Sequence, residues 1–231
     1  MTIRTDKKLN SNSAKRLGGD NNTAGAPGGA IVATRTGYVE RISKETQIKL
    51  SIDLDSSGTR EIETQVPFLT HMLDAFACHG RFSLGVKATG DIEVDAHHLI
   101  EDTGIVLGRA IGEALGGADG ITGIERAGFF TYPMDGSLAH VAIDICGRAN
   151  LVWNVELLPG NIGNLDPTLF REFFKGFADG LKATVHVNLQ YVDNNHHAVE
   201  AIFKALGRGL RLAATRLEDD QLLSTKGMLD Q

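Results

Sequence analysis

Two copies of a His-His-x-x-Glu motif are the most distinctive feature of the 231-residue sequence. Residues 95–101 read Asp-Ala-His-His-Leu-Ile-Glu, and residues 194–200 read Asn-Asn-His-His-Ala-Val-Glu. Histidine is the commonest metal ligand, and imidazole combined with carboxylate suits manganese, iron or zinc. A ligand set of nitrogen and oxygen without a thiolate favours manganese over structural zinc. The repeated motif therefore predicts a metal centre.

Helix geometry indicates that each motif serves two ions. His97 and Glu101 are i,i+4 neighbours on one helix face, whereas His98 points about 100° away. Two further residues, His71 and Glu172, lie at similar distances upstream of the two motifs. We expect two ligand sets, one for each ion: His71, His97, Glu101 and His197; and Glu172, His196, Glu200 and His98.

A single histidine on a helix is as often a surface or packed core residue as a ligand. That interpretation does not suit the whole set, because six of the eight histidines fall in the repeated segments. These six are His71, His79, His97, His98, His196 and His197. The other two, His140 and His186, lie on strand-like segments outside the repeat and are interpreted as structural.

The elements that must position these residues also repeat. Alternating and helical hydrophobic spacing predicts strand, strand, helix, strand and helix in each half. In the first half these elements span residues 46–54, 61–66, 68–78, 82–94 and 97–115, and 61–66 is expected to return along 46–54. In the second half they span 129–145, 149–157, 167–181, 183–191 and 196–216, and the strands over 129–145 and 149–157 are expected to pair. Ordered sequence is expected to begin near Tyr38.

Composition separates an N-terminal arm from one domain. Residues 1–33 are rich in Asn, Ser, Gly and Thr without a hydrophobic period, which predicts a disordered arm. Residues 34–231 are expected to form a single domain of two fused repeats, about 34–122 and 123–231. The basic start of the arm could target an organelle, but Asp6, Asp20 and the missing amphipathic period favour the cytoplasm.

Charge and cysteine content exclude several classes of protein. The formal net charge of −6 argues against a general nucleic-acid binder, which needs surplus Lys and Arg. No run of about 18 apolar residues is present, so no membrane partner is expected. Cys78 and Cys146 are too few for a disulfide framework, which fits a reducing cytosol.

Several motifs, in this order along about residues 35–229, carry a resemblance to a known family. They are Phe68-Leu-Thr-His-Met-Leu-Asp74, Gly90-Asp91, Asp95-Ala-His-His98 with Glu101-Asp102, Pro133-Met-Asp135, Asp144 with Gly147-Arg148, His196-His197 with Glu200, and Ser224-Thr-Lys-Gly227. Together they resemble the imidazoleglycerol-phosphate dehydratases, lyases of histidine biosynthesis.

The resemblance implies a fold, a reaction and an assembly. The fold is α/β (α+β), with two pseudo-symmetric halves, each a four-stranded sheet backed by helices, similar to a duplicated second domain of ribosomal protein S5. The reaction removes water from D-erythro-imidazole glycerol phosphate to give imidazole acetol phosphate. Two Mn²⁺ ions per active site would stabilise the substrate ring as an imidazolate, which expels the hydroxyl through a diazafulvene-like intermediate. The assembly is a homo-oligomer, a 24-subunit particle built from trimers.

The resemblance also assigns roles to residues. Glu45 matches the catalytic and substrate-contacting glutamate, and His71, His98 and Glu101 join it as catalytic residues. His79 falls in a substrate-contacting segment, although a helix-capping role is equally compatible with its position. Arginine forks, lysine charges and hydroxyls suit a phosphate group. The matching positions are Arg126, Arg148, Lys204, Ser224, Thr225 and Lys226.

Two alternatives remain at this point. Glu172 and Gly136 depart from the family pattern, and they motivate a metal-binding subunit of the same fold that has lost turnover. A two-metal phosphohydrolase, in which a metal-bound hydroxide attacks phosphate, is the second alternative. The sequence lacks the aspartate-rich ligand sets that such hydrolase sites often use.

Overall fold

The computed structural model describes residues 34–116, 121–219, 221–227 and 229, so the predicted arm, residues 1–33, lies outside the described residues. The described residues form two four-stranded sheets. In the order of pairing, the first contains β1 (Thr36–Ile42), β2 (Thr46–Asp53), β4 (Ser83–Gly90) and β3 (Arg60–Thr64). The second contains β5 (Ala127–Met134), β6 (Ser137–Asp144), β8 (Thr184–Tyr191) and β7 (Asn150–Asn154).

Strand pairing is the same in both halves and corrects three predictions. In the described residues each half has four strands, whereas the hydrophobic spacing predicted three. The missing strands are β1, which was not predicted, and one strand of the β5 and β6 hairpin, which was predicted as a single strand over 129–145. The segment 61–66, predicted to return along β2, instead forms β3 parallel to β4. Likewise β7 runs parallel to β8 and does not pair with β6. The duplicated α/β fold class itself is confirmed.

Four α-helices cover the inner faces of the sheets. They are α1 (Pro67–Gly80), α2 (His97–Ala114), α3 (Phe170–Leu181) and α4 (Asn195–Ala213), with a short 3₁₀ helix at Pro167–Leu169 before α3. The alternation in β2 buries Ile48, Leu50 and Ile52 against them. Both α1 and α3 end at a residue in the left-handed conformation, Arg81 and Lys182, each with φ of 58°. No helix in the described part of the chain is both long and apolar enough to cross a membrane.

The helices pack across the two halves, α1 against α4 and α2 against α3. Glycines allow backbone contact at both interfaces: a Cβ atom added to Gly104 of α2 would lie 2.2 Å from the Phe173 carbonyl oxygen of α3. A Cβ atom on Gly207 of α4 would lie 2.3 Å from the Phe76 carbonyl oxygen of α1. Such contacts leave no room for sliding, so they fix which helix turns face each other.

Asp55 joins the start of the domain to the segment after α4. Its carboxylate accepts hydrogen bonds from Arg35 at 2.7 Å and from Arg216 at 3.0 Å. Partial burial raises the pKa of Asp55, but the hydrogen bonds from the two arginines outweigh this effect and hold the pKa well below its usual value. The ionised carboxylate therefore stabilises the folded state.

This ion pair predicts a pH dependence of stability. Because the folded-state pKa of Asp55 is depressed, its contribution is present above the unfolded pKa of about 3.9 and is lost as pH falls towards the folded value. The melting temperature, measured from pH 7 to pH 3, will therefore fall less steeply below pH 4 for Asp55→Asn than for the wild type. Parallel curves for the two proteins would contradict this prediction.

Candidate metal centre

Three predicted ligands from two helices form one compact cluster. His71 lies on α1, and His196 and Glu200 lie one turn apart on α4. One ligand atom from each residue lies within 4.8 Å of the others. The Nε2 atoms of His71 and His196 are 3.5 and 3.4 Å from the same carboxylate oxygen, Oε2 of Glu200. Glu200 is buried, whereas both imidazoles are exposed, so the cluster opens to solvent.

This cluster differs from the predicted grouping of ligands. His71 was expected to share an ion with His97 and Glu101 of its own half. Within the described residues, it instead meets the motif of the other half, because α1 packs on α4. The close contact of Gly207 with Phe76 sets the axial position of these helices. The predicted sets drew only the second histidine from the opposite half, so they did not include the packing of α1 on α4.

Within the described residues, the other motif has the corresponding arrangement without a compact cluster. His97 Nε2 lies 3.7 Å from Glu101 Oε2 on α2. The contact between α2 and α3 places the Glu101 carbonyl oxygen 2.5 Å from a Cβ atom added to Gly176. Glu172 lies one turn before Gly176 and accepts a hydrogen bond from Arg171 at 3.0 Å. Gly108 packs on Phe177 as Gly207 packs on Phe76, and Glu172 and His71 each lie five residues before that phenylalanine, so Glu172 corresponds on α3 to His71 on α1.

The second histidines of the motifs, His98 and His197, are each held by an aspartate that sequence reasoning missed. His98 Nδ1 is 3.1 Å from Asp91, and His197 Nδ1 is 3.2 Å from Asp193. The hydrogen bond with Asp91 raises the pKa of His98. A carboxylate on Nδ1 orients the ring and leaves Nε2 for a ligand, an arrangement typical of metal-binding histidines. The Gly90-Asp91 pair and the Asp193 position just before the second motif were the available signals.

Glu200 has a second partner, Lys204, on its other oxygen. Lys204 Nζ lies 2.7 Å from Oε1 of Glu200 and also contacts Met134 Sδ at 3.3 Å. Burial raises the pKa of the Glu200 carboxyl, but the hydrogen bond from Lys204 and the nearby imidazoles outweigh it, so the pKa lies below its usual value. The Glu200 carboxylate is therefore ionised at neutral pH, and Lys204 lies beside the cluster.

Five of the six residues predicted to bind phosphate line one pocket of about 310 Å³. They are Arg126, Arg148, Ser224, Thr225 and Lys226, and Lys204 is not among the residues that line it. Arg126 has a positive φ of 67° and is 3.0 Å from Asp144. A non-glycine residue in this conformation stores strain, which is concentrated at functional sites. The pocket combines three cationic side chains with two hydroxyls.

Glu45 and His79 lie away from this pocket. Glu45 stands in the turn between β1 and β2, and its Oε1 is 3.9 Å from His98 Nε2. His79, near the end of α1, is within 3.3 Å of the Tyr132 hydroxyl. Burial and the charges of Lys204 and Arg208 lower the pKa of His79. Glu45 thus lies beside His98, the second histidine of the first motif, and His79 lies in the surroundings of Lys204.

The fold and the cluster together define a duplicated α/β protein with a candidate metal centre built between its halves. The sequence model of the imidazoleglycerol-phosphate dehydratase family matches residues 64–210. The chain belongs to the imidazoleglycerol-phosphate dehydratase family, which confirms the resemblance seen in its motifs.

Relatives and solved structures agree with this assignment. The dehydratase of Geobacter sulfurreducens is 52% identical over 198 residues, which cover 85% of this chain and all of the relative. That of Citrifermentans bemidjiense is 53% identical over 197 residues, or 84% of this chain and 99% of the relative. The crystal structure from Staphylococcus aureus N315 is 37% identical, covers 78% of this chain and 99% of its own, and has a TM-score of 0.69. The IGPD of Pyrococcus furiosus with (S)-C348 is 38% identical, covers 83% and 100%, and has a TM-score of 0.72.

Proposed function

We propose that this protein is a hydro-lyase of histidine biosynthesis that removes water from imidazole glycerol phosphate and yields imidazole acetol phosphate. Its membership of the family supports this reaction. The observation that carries the proposal within the chain is the convergence of His71, His196 and Glu200 from two helices. The low cysteine content supports a cytoplasmic location.

The ligands fit a manganese ion. Two imidazoles and one ionised carboxylate form a mixed nitrogen and oxygen set without a thiolate, which suits manganese. Bound metal supplies Lewis-acid stabilisation of negative charge on the azole ring of the substrate. We assign a second ion to His97, Glu101 and Glu172, so that each active site uses two.

A cluster of three ligands leaves positions that the second histidines can occupy. His98 is held by Asp91 and His197 by Asp193, and neither histidine belongs to the compact cluster in the described residues. We propose that neighbouring copies of the chain supply them, in a homo-oligomer of trimers that form a 24-subunit particle. Removal of the metal should then weaken the assembly, because metal binding and subunit association depend on the same side chains.

Glu45 is proposed as the acid and base of the reaction. The proton must leave a carbon that no carbonyl group acidifies, and a proton must return to the side chain after the hydroxyl has left. Glu45 is exposed and lies beside His98, so its carboxylate can exchange protons with a substrate held there. His71, His98 and Glu101 would hold the metal ions, which would bind the azole end of the substrate.

We assign the phosphate group to the pocket of Arg126, Arg148, Ser224, Thr225 and Lys226. Charge-assisted hydrogen bonds contribute about 1.5–3 kcal/mol each, which corresponds to roughly 10- to 100-fold in binding. Arg148→Ala should therefore raise KM by that factor with little change in kcat. Arg60→Ala, which removes an exposed arginine paired with Asp74, is the matched control and should leave KM unchanged. An unchanged KM in Arg148→Ala would remove this residue from the phosphate site.

One assay tests the proposed reaction against its alternatives. The manganese-loaded protein is incubated with imidazole glycerol phosphate, and both the acetol product and free phosphate are measured. Acetol product without free phosphate supports the lyase. Release of phosphate would instead identify a hydrolase, and bound metal without either product would identify a subunit without turnover.

A further inference from the structure

Asp102 is a buried carboxylate that the reaction as described does not use. The residue is only 6% exposed, and it directly follows the predicted ligand Glu101 on α2. Its Oδ2 accepts a hydrogen bond from the Thr46 hydroxyl at 2.6 Å. Its Oδ1 lies 2.9 Å from Nη2 of Arg41. Asp102 thus ties α2 to both ends of the turn that connects β1 and β2.

That turn carries Glu45. The Ser43 hydroxyl accepts the backbone N–H groups of Glu45 at 3.1 Å and Thr46 at 2.9 Å. The carbonyl oxygen of Glu45 accepts the N–H of Asp91 at 3.1 Å, and Asp91 holds His98. Because Thr46 is fixed by Asp102, the direction in which the Glu45 side chain leaves the turn depends on this buried contact.

The second half of the molecule provides an internal comparison. The motifs lie 99 residues apart, so Ala201 corresponds to Asp102, and Ala201 is fully buried. Ser137, the first residue of β6, corresponds to Thr46, and the residue before it is Gly136 where the first half has Glu45. The fold therefore packs this position with a methyl group in the half that lacks a glutamate in the turn.

The comparison separates function from stability. A buried carboxylate with an arginine contributes little net stability compared with an apolar residue of similar size, because both charges lose hydration. Among the described residues, the turn that bears Glu45 rests on the buried Asp102, whereas in the second half Ser137 donates to Asp193, an exposed residue that is not on α4. We infer that Asp102 is a positioning residue that, through Thr46 and Arg41, holds the Glu45 turn on α2 so that the Glu45 carboxylate faces His98. The inference rests on the proposed function, which assigns proton transfer to Glu45.

A double-mutant cycle in the metal-loaded holoenzyme tests this role. Asp102→Asn preserves size and should lower kcat by roughly 10- to 100-fold, the effect of a small misplacement of a reacting group, with a smaller change in KM. In a Glu45→Gln background the same substitution should have almost no further effect, because it acts through Glu45. Multiplicative losses in the double variant, or a wild-type kcat in Asp102→Asn, would overturn the inference.

Two further variants cover the case in which Asp102→Asn does not fold. Thr46→Val removes the hydroxyl without changing the size of the side chain, and Thr46→Ser retains it. The inference requires a reduced kcat in the valine variant and recovery in the serine variant, and equal kcat values in the two would contradict it.

Hydrogen exchange of the peptide that spans residues 43–46 provides a measurement without turnover. It should accelerate in Thr46→Val and not in Thr46→Ser, and unchanged exchange in the valine variant would also contradict the inference. A wild-type protein without dehydratase activity would count against the proposed function. Hydrogen exchange would then still decide whether the contact of Asp102 with Thr46 holds the turn.

Discussion

Replacing Glu200 with glutamine will lower kcat by at least about 100-fold, because loss of a ligand exceeds the roughly 10- to 100-fold loss usual for residues that only orient ligands. Oε2 of Glu200 is the atom that both His71 and His196 approach within 3.5 Å, so it supplies the negative charge of the cluster. Glutamine retains the size of the side chain but not that charge. Metal content, measured by elemental analysis of the purified protein, should fall together with kcat.

Glu63→Gln is the matched control for Glu200→Gln. Glu63 is an exposed glutamate on β3, and its carboxylate lies 3.9 Å from Lys87 Nζ, a long distance for an ion pair. Its replacement changes the same chemical group without touching the cluster. Metal content and kcat should therefore equal those of the wild type. Normal metal content and turnover in Glu200→Gln would exclude Glu200 from the site.

Gly108→Ala will destabilise the protein by about 1–3 kcal/mol, as extra volume in a closely packed interface usually does. A Cβ atom at Gly108 would lie 2.4 Å from the Phe177 carbonyl oxygen and 2.6 Å from the Leu181 nitrogen, both on α3. These are backbone atoms, so the two helices must separate to admit the methyl group. The free energy of unfolding, measured in denaturant at one protein concentration, tests this result.

Gly112→Ala, one turn further along α2, is its control. A Cβ atom at Gly112 would meet nothing within 4 Å. Alanine forms helix more readily than glycine by about 0.5–1 kcal/mol, so this substitution should stabilise the protein. Opposite signs for the two alanines would place the effect at the helix interface, whereas similar signs would show that helix propensity dominates at both sites.

Local patterns predicted the helices and the duplication better than the strands. The strand β1 escaped detection because its one fully buried residue is Gly37, which packs on Ala110 and supplies no apolar side chain to the alternation. The hairpin within 129–145 was missed although Asp135-Gly136 is a common hairpin turn. The parallel pairing of β3 with β4 could not be read locally, since α1 lies between them in sequence.

The residues of the candidate site were predictable by type and not by partner. The motif and the helix period predicted that His196 and Glu200 share a face, as they do. Their neighbour His71 lies on α1, 125 residues before His196 in the sequence (196 − 71). That contact depends on the packing of Gly207 against Phe76. Nothing in the local pattern around Gly207 indicates which helix it faces. Lys204, which the resemblance places among the phosphate-binding residues, lies beside Glu200 in the structure.

The contact of helices across the two halves has a consequence for the origin of the chain. Each half contributes one helix with a single ligand and another with the His-His-x-x-Glu motif, yet these two helices contact the opposite half. A half-length ancestor with this fold would have completed no cluster alone and would have required a second identical molecule. Joining two copies by a short linker would make that encounter intramolecular and would allow the halves to differ, as they do at Asp102 and Ala201.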